Sequence, residues 1–181
     1  PESSFEPDRN IIIGNTVLYG ATRGEIYISG VAGERFGVRN SGAVAVVEGV
    51  GNHCCEYMTG GRIVVLGMTG SNFAAGMSGG IAYVFNESGN FDYFCNMGMV
   101  ELSLVEESGD LKELQELIRR HYEYTGSRKA EMILKDPSRY LPMFIKVIPY
   151  DYKRVLSEQK LEEIKKKIAD VEMDVEFGSR V

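Results

Sequence analysis

Short apolar segments separated by glycine recur along the first hundred residues. They are IIIGN, EIYISG, AVAVVEG, RIVVLG, IAYVF and VELSLV, at 11–15, 25–30, 43–49, 62–67, 81–85 and 100–105. Runs of this length, rich in Val, Ile and Tyr and bounded by glycine, are typical of β-strands. The pattern therefore predicts six short strands in this region.

The glycines between these segments are regularly spaced. Two interleaved sets have intervals of 18 or 19 residues: Gly14, Gly33, Gly51, Gly70 and Gly89; and Gly24, Gly42, Gly60, Gly79 and Gly98. A repeat this short cannot bury its apolar side chains alone and must stack on its neighbours. The period predicts an all-β solenoid, a right-handed parallel β-helix with 18–19-residue coils. Glycine at its corners would supply a positive φ or a close approach of two backbones.

Side chains follow the same register. Two columns are apolar: Phe36, Cys54 and Phe73; and Val46, Val64 and Tyr83. We expect both columns to fill the interior of the coils. A left-handed hexapeptide solenoid also has 18 residues per turn, but it needs an aliphatic residue every six positions. Stepping from Val44 gives Val50, Glu56 and Arg62, which favours the right-handed form.

The pattern changes near residue 105, and all nine lysines lie at Lys112 or later. Helical spacing predicts one helix at 108–126, a short second helix before Pro137 and a third from Ser157, with a strand or extended segment at 143–149. The expected signals are Asp110 as the first N-cap, Gly126 as the first stop and Ser127 as the second N-cap. We divide the chain into a β-helix at 1–105, N-terminally incomplete, and a helical tail at 106–181 that caps or flanks the solenoid.

Composition excludes several classes of protein. The formal net charge is -6 and 44% of the residues are hydrophobic, so we expect a folded domain and no nucleic-acid partner, which would require a basic surface. No apolar run approaches a membrane span, and the N-terminus lacks the features of a signal peptide. We expect a cytoplasmic protein with no membrane partner.

The three cysteines, Cys54, Cys55 and Cys95, match no disulfide framework or zinc motif. Cys54 and Cys55 follow His53, which suggests a nucleophile or a metal site. Successive residues of a strand point to opposite faces, so we expect these three not to converge. Cys54 is predicted to be a buried hydrophobe, and His121 is predicted to be a capping or surface residue.

Other candidate chemistry is weak. The loops GVAGERFG and GMTGSNFAAG resemble phosphate loops, but more strand follows where a helix N-terminus is needed, so we predict solenoid corners. The carboxylates of this region form no ladder: Glu25, Glu34, Glu48, Glu56, Glu87, Asp92 and Glu101. Calcium-binding repeats are also absent. We predict no catalytic, cofactor-binding or metal-binding residue in this chain.

The most distinctive polar residues of the repeat are Arg35, Arg39 and Asn40. The favoured interpretation is that they pair with Glu34 or Glu56 and hold adjacent coils together; the alternative is recognition of a partner. The lysines at 165–167 are predicted to lie on a solvated helix face.

From Ile11 to Leu156 the chain closely resembles the C-terminal β-helix domain of the glutamate synthase large subunit, the G-x-G-x-G domain. The segments that carry the resemblance are AGERF, VRNSGA, EYMTGG, NFAAGMSGG, HYEYTGS and FIKVIPYDYKRVL. The resemblance implies an enzyme that makes glutamate from glutamine and 2-oxoglutarate. In that enzyme a glutaminase domain sends ammonia through a tunnel to a synthase domain holding FMN and a 3Fe-4S cluster. It also implies that this chain is a non-catalytic scaffold and that those cofactors belong to the partner domains.

The chain departs from the family pattern at a few places. It has GNHCCE at 51–56 where GDHGCE is expected, and Ser71 where Arg is frequent. The family's domain also begins several coils earlier, so an open solenoid end, and dimerisation through it, is a further hypothesis. Two alternatives are the β-helix subunit of a formylmethanofuran dehydrogenase-like complex and a carbohydrate-active solenoid enzyme.

Overall fold

A computed structural model of the chain describes residues 5–178, with side chains except those of Asp8 and residues 169–178. It has seven strands: β1 Ile11–Ile13, β2 Glu25–Ala32, β3 Ser41–Val50, β4 Thr59–Val65, β5 Gly79–Phe85, β6 Val100–Leu104 and β7 Phe144–Pro149. All six apolar segments predicted to be strands overlap one of them, and the extended segment at 143–149 becomes β7.

The strands form one sheet in the order β1-β2-β3-β4-β5-β7-β6. The first five are parallel, and each pairs with the equivalent residues one repeat later, as in Ile26 with Ala45, Ala45 with Ile63, and Ile63 with Ala82. This register is that of a β-solenoid of about four turns, which confirms the predicted fold class. The right-handed sense of the coil stays a prediction.

The last strands differ from the expected repeat. β7 pairs antiparallel with β5, and β6 pairs antiparallel with β7. The segment at 100–105 is therefore a strand but does not continue the parallel stack. A strand from the tail covers the edge of β5, which would otherwise present unpaired backbone groups. Because β6 and β7 complete one sheet from both sides of residue 105, the division of the chain there stays a prediction.

Opposite the sheet, each coil closes through a segment in which every second residue has a positive φ. These residues are Thr16, Leu18 and Gly20; Arg35, Gly37 and Arg39; His53, Cys55 and Tyr57; and Asn72, Ala74 and Gly76. Their amides bond to neighbouring coils, as in Arg35 N to Asn52 O at 2.8 Å and Cys55 N to Phe36 O at 2.9 Å. Each coil therefore has one strand and one of these segments. We call the side of the solenoid formed by the positive-φ segments the turn side.

Inner members of the two glycine sets act through close backbone approach. A Cβ placed on Gly42, Gly60 or Gly79 would collide with a carbonyl oxygen of the preceding coil, well inside 3.0 Å. These three glycines do not have a positive φ. Of the two roles expected for the regularly spaced glycines, close approach is thus the one that these members fill.

Four helices follow or flank the strands: α1 Ser108–Thr125, α2 Arg128–Lys135, α3 Pro137–Tyr140 and α4 Tyr150–Gly178. Gly126 ends α1 with φ 67°, and the Ser127 hydroxyl caps α2 by accepting the Ala130 amide, as predicted. The prediction that Asp110 is the N-cap is wrong. Asp110 lies within the first turn of α1, and its carboxylate binds Lys146, which is distant in the sequence. The predicted start of the last helix at Ser157 is also wrong.

That last helix, α4, begins directly after β7. Tyr152 and Leu156, on its first turns, pack against the outer face of the sheet, so packing as well as capping sets where the helix begins. None of the helices in the described part of the chain is long and apolar enough to cross a membrane.

The sheet has an apolar layer on each side. Inside the coils lie Phe36, Cys54 and Phe73, as predicted, with small or branched strand residues such as Ala45 and Ile63. The second predicted column is on the other side of the sheet: Val46, Val64 and Tyr83 contact α1 and α2 instead of filling the interior. Alternation along each strand sends these residues outward, where the helices bury them. The helices therefore flank the solenoid.

Candidate functional site

A buried polar cluster lies where α1 and α2 meet β3. Glu48 Oε1 is 3.1 Å from His121 Nε2 and 2.5 Å from Ser127 Oγ. The three residues are only 3%, 0% and 1% exposed. The prediction that His121 is a capping or surface residue is therefore wrong: the imidazole is buried against a carboxylate from the sheet.

Glu, His and Ser are also the residue types of hydrolase triads, but the order of contacts differs. A nucleophilic serine needs its hydroxyl bonded to the histidine that removes its proton. Here the Ser127 hydroxyl bonds to Glu48 and caps α2, and its side chain is buried. Glu48 Oε2 and His121 Nδ1 have no hydrogen-bond partner among the described residues. The cluster ties two helices to the sheet.

A second polar network joins the same face of the sheet to α1. Arg62 Nε is 3.0 Å from both Glu113 oxygens, and the Tyr83 hydroxyl donates to Glu113 at 2.9 Å. Lys146 Nζ is 2.5 Å from Asp110. Burial, followed by the neighbouring Glu113 carboxylate, raises the pKa of Tyr83, so the phenol stays protonated. No local pattern predicts this network, because its partners are distant in the sequence.

The cysteines lie inside the solenoid. Cys54 and Cys55 are both buried, and their sulfur atoms are 3.6 Å apart. The prediction that they point to opposite faces is wrong, because they lie in a turn-side segment, where the positive φ of Cys55 returns its side chain to the interior. His53 is directed elsewhere: its Nδ1 lies 3.6 Å from Glu56 Oε1.

The Cys55 and Cys95 thiols have little nucleophilic character. Burial raises the pKa of Cys55 and raises that of Cys95 to about 12, and the thiolate is the reactive and metal-binding form. In the described part of the chain, no three His, Cys, Asp or Glu side chains are grouped so that they could hold a metal ion.

The two glycine-rich loops are solenoid corners, as predicted. Asparagine side chains connect the stacked corners: Asn15 Oδ1 accepts the Glu34 amide and Asn52 Oδ1 accepts the Ser71 amide, both at 2.8 Å. Asn52 Nδ2 also donates to Glu34 Oε1 at 3.0 Å. The backbone amides that would bind a phosphate therefore already donate hydrogen bonds to neighbouring coils.

Arg35 and Arg39 lie exposed on the turn side. With the exposed rings of Tyr19 and Tyr57 they line a cleft of about 510 Å³, which we call the arginine–tyrosine cleft. Glu56 lies at the same cleft.

The favoured prediction that the two arginines pair with Glu34 or Glu56 is wrong. Glu34 binds the Asn52 amide, and Glu56 lies beside His53. Asn40 does not pair with Glu34 or Glu56 either: it is buried and bonds within its own coil to the backbone N–H and C=O of Ala43, both at 2.9 Å. Its side chain therefore fixes the corner before β3.

A larger cleft, of about 1400 Å³, lies beside α2 and is lined by Glu48, Arg128 and Lys129 among others. Lys129 is already paired with Glu87 at 3.1 Å and lies over the Phe85 ring.

The lysines at 165–167 are exposed on α4, as predicted.

Comparison with known proteins agrees with the resemblance seen in the sequence. The family model described as GXGXG motif matches residues 1–150. Similar relatives include Glutamate synthase [NADH] of Schizosaccharomyces pombe, 57% identical over 166 residues, which are 91% of this chain and 8% of the relative. Glutamate synthase [NADPH] large chain of Bacillus subtilis is 52% identical over 157 residues, covering 84% of this chain and 10% of the relative.

Ferredoxin-dependent glutamate synthase, chloroplastic, of Spinacia oleracea is 51% identical over 145 residues, covering 80% of this chain and 9% of the relative. The chain thus spans about a tenth of the length of the relatives it matches. These matches do not support the formylmethanofuran dehydrogenase or carbohydrate-active alternatives. With the family model matching most of its length, the chain belongs to the GXGXG motif family.

Proposed function

We propose that this chain is the scaffold β-helix domain, or a separate β-helix subunit, of a glutamate synthase, which makes glutamate from glutamine and 2-oxoglutarate. The observation that carries the proposal is identity above 50% to glutamate synthases of three kinds, over most of the solenoid and its tail. Such identity extends well beyond the glycines that the fold alone requires.

The structure suits a rigid spacer. Each strand of the stack is bonded on both edges from β2 to β5, and both sides of the sheet are buried. Interiors packed in this way resist deformation. A stiff rod of this kind would hold the glutaminase and synthase domains at a fixed separation, so that ammonia passes between them without loss to solvent.

The cofactors belong to the partner domains in this proposal. FMN and the 3Fe-4S cluster would be bound there. A cluster needs thiolate ligands, and burial in the apolar interior disfavours the thiolates of Cys55 and Cys95. We also propose that the protein is cytoplasmic, because its cysteines are free and free thiols are typical of that compartment.

Removing one coil from the assembled synthase tests the scaffold function. Deletion of residues 52–70 joins Gly51 to Ser71, keeps the repeat in register and shortens the stack by one strand spacing, about 4.8 Å. We expect glutamine hydrolysis to persist while glutamate formation from 2-oxoglutarate falls severalfold and ammonia appears in solution. The deletion also removes Tyr57 and Arg62, so Tyr57→Gly and Arg62→Leu in the undeleted protein are the matched controls. Unchanged coupling in a folded deletion variant would refute the scaffold.

Dimerisation through the end of the solenoid is a second, smaller part of the proposal. β1 is the edge strand of the sheet, and Ile11 on it is 71% exposed. An exposed apolar edge favours pairing with a second copy. Sedimentation of the chain at high concentration checks this, and a strictly monomeric chain would contradict it.

A further inference from the structure

The arginine–tyrosine cleft contains charges that the described part of the chain leaves unpaired. Neither the Arg35 nor the Arg39 guanidinium has a carboxylate or other hydrogen-bond partner among the described residues. Other arginines are paired within the chain, as Arg62 is with Glu113 and Arg120 with Glu25. In a chain of net charge -6, carboxylates are plentiful, so the lack of a partner is a property of this surface.

The backbone at these positions favours glycine, yet large side chains are present. Arg39 and Tyr57 have φ of 56° and 53°, and the equivalent positions of the coils before and after them are Gly20 and Gly76. A left-handed conformation costs a non-glycine residue on the order of 1–2 kcal/mol. Glycine at the equivalent positions of neighbouring coils shows that the fold does not require a large side chain here, although the Tyr57 ring does lie over Gly76 of the next coil.

Recognition does explain them. Arginine and tyrosine are enriched among the residues that dominate protein interfaces, and tyrosine provides a large contact area with few rotatable bonds. Tyr19 and Tyr57 are 58% and 57% exposed beside the two arginines. A planar guanidinium binds a carboxylate through two parallel hydrogen bonds. Glu56 at the same cleft disfavours a polyanion such as nucleic acid, whereas a protein segment with separate carboxylates fits.

We propose that the arginine–tyrosine cleft is the docking surface for an acidic segment of another domain of the synthase. Asp or Glu carboxylates of that segment bind Arg35 and Arg39, and its apolar side chains pack on Tyr19 and Tyr57. This inference rests on the proposed function, because it takes the partner to be part of the assembled enzyme.

Arginine modification tests whether the surface is covered. Phenylglyoxal labelling, followed by mass spectrometry, is compared between this chain alone and the assembled synthase. We expect Arg35 and Arg39 to react readily in the chain alone and at least tenfold more slowly in the assembly. Arg62, which is ion-paired and largely buried, is the internal control and should react slowly in both. Equal rates for Arg35 and Arg39 in the two samples would overturn the proposal.

Cross-linking tests whether the partner is acidic. Arg39→Lys keeps the charge and supplies an amine that a water-soluble carbodiimide joins to a nearby carboxylate. In the assembled synthase we expect an amide between residue 39 and an Asp or Glu outside these 181 residues. The unsubstituted protein, with no amine at this position, is the control. A residue 39 that cross-links only to Glu56, or to nothing, would overturn the acidic partner.

The coil deletion described above separates this inference from the proposed function. If that deletion uncouples the enzyme, Tyr57→Gly does not, and Arg35 and Arg39 of the undeleted assembly remain reactive, the scaffold stands and docking uses another face. If the deletion leaves coupling intact, the scaffold fails, whatever the labelling shows.

Discussion

The two sides of the solenoid sheet are built in different ways. The inner side repeats: equivalent residues of successive coils stack directly, and small or branched side chains such as Ala45, Ile63 and Ala82 follow one another. On the outer side one apolar column also repeats, but the helices that cover it do not, and they are held by single long-range contacts such as Arg62 with Glu113. The inner side therefore depends on spacing, and the outer side depends on individual side chains.

The largest effect should come from removing a single contact on the outer side. Glu48→Ala leaves the His121 imidazole and the Ser127 hydroxyl buried without their acceptor. Each unsatisfied buried group costs roughly 1–3 kcal/mol, so we expect a loss of about 4 kcal/mol in the free energy of unfolding, measured by urea denaturation.

Two variants control for this change. Glu48→Gln keeps an acceptor oxygen and should cost clearly less than Glu48→Ala. Glu87→Ala removes an exposed partner of Lys129 and should cost less than about 0.5 kcal/mol. Equal losses for Glu48→Ala and Glu87→Ala would show that the buried cluster contributes nothing beyond a surface ion pair.

On the inner side, the test is a single methyl group at a glycine. Gly79→Ala places a Cβ against the Thr59 carbonyl oxygen, so β4 and β5 must separate locally. Overpacking of this kind costs about 1–3 kcal/mol, and we expect the upper end because the obstacle is backbone.

Gly109→Ala is the matched control, since its Cβ would meet nothing within 4 Å and it lies in α1. We expect it to be neutral or to stabilise the chain by less than about 0.5 kcal/mol, because Gly109 lies in the first turn of α1 and not in its middle. A thermal denaturation series compares the two variants. If Gly79→Ala is as well tolerated as Gly109→Ala, the close-approach explanation of the glycine sets fails.

This contrast explains which features the sequence reveals. The stack was predictable because the glycines recur every 18 or 19 residues, and the column Phe36, Cys54 and Phe73 follows the same period. The outward direction of Val46, Val64 and Tyr83 was missed, because period 2 alone does not say which face a helix will cover. Because α1 is amphipathic, its apolar side needs an apolar surface to pack on. That requirement could have indicated that the strands have a second apolar face.

The turn side was the least predictable region. Most of its positive-φ positions are not glycine, including His53 and Cys55, so composition carries no signal for them. The same conformation brings the two adjacent thiols together and leaves Arg35 and Arg39 exposed. In the sequence the candidate docking surface was visible only as two arginines that were assigned to Glu34 or Glu56, with recognition of a partner as the alternative.

A pH titration probes the inner side without changing its shape. Burial raises the pKa of Cys95 from an ordinary 9.0 to about 12. The unfolded chain loses this proton first as the pH rises, so the stabilising contribution is complete below pH 9 and is lost between pH 9 and 12. The slope for one such thiol is about 1.4 kcal/mol per pH unit.

Cys95→Ala should flatten the alkaline slope by that amount while leaving the slope below pH 8 unchanged. Urea denaturation at half-unit pH steps measures both. Other groups with a raised pKa, Cys55 and Tyr27, remain in the variant, so part of the alkaline loss must persist. An unchanged slope in Cys95→Ala would mean that the thiol is hydrated in the folded chain.

The smallest effect is expected on the turn side, where the backbone repeats but the side chains do not. Arg39→Gly relieves the left-handed strain, and Arg39→Ala removes the same side chain while keeping the strain. We expect the glycine variant to be more stable than the alanine variant by about 1 kcal/mol, measured by urea denaturation. Both variants lack the guanidinium, so both should lose docking equally if the arginine–tyrosine cleft binds an acidic partner. A stability gain together with lost docking would show that the strain is retained for recognition, whereas a glycine variant less stable than the alanine variant would remove that argument.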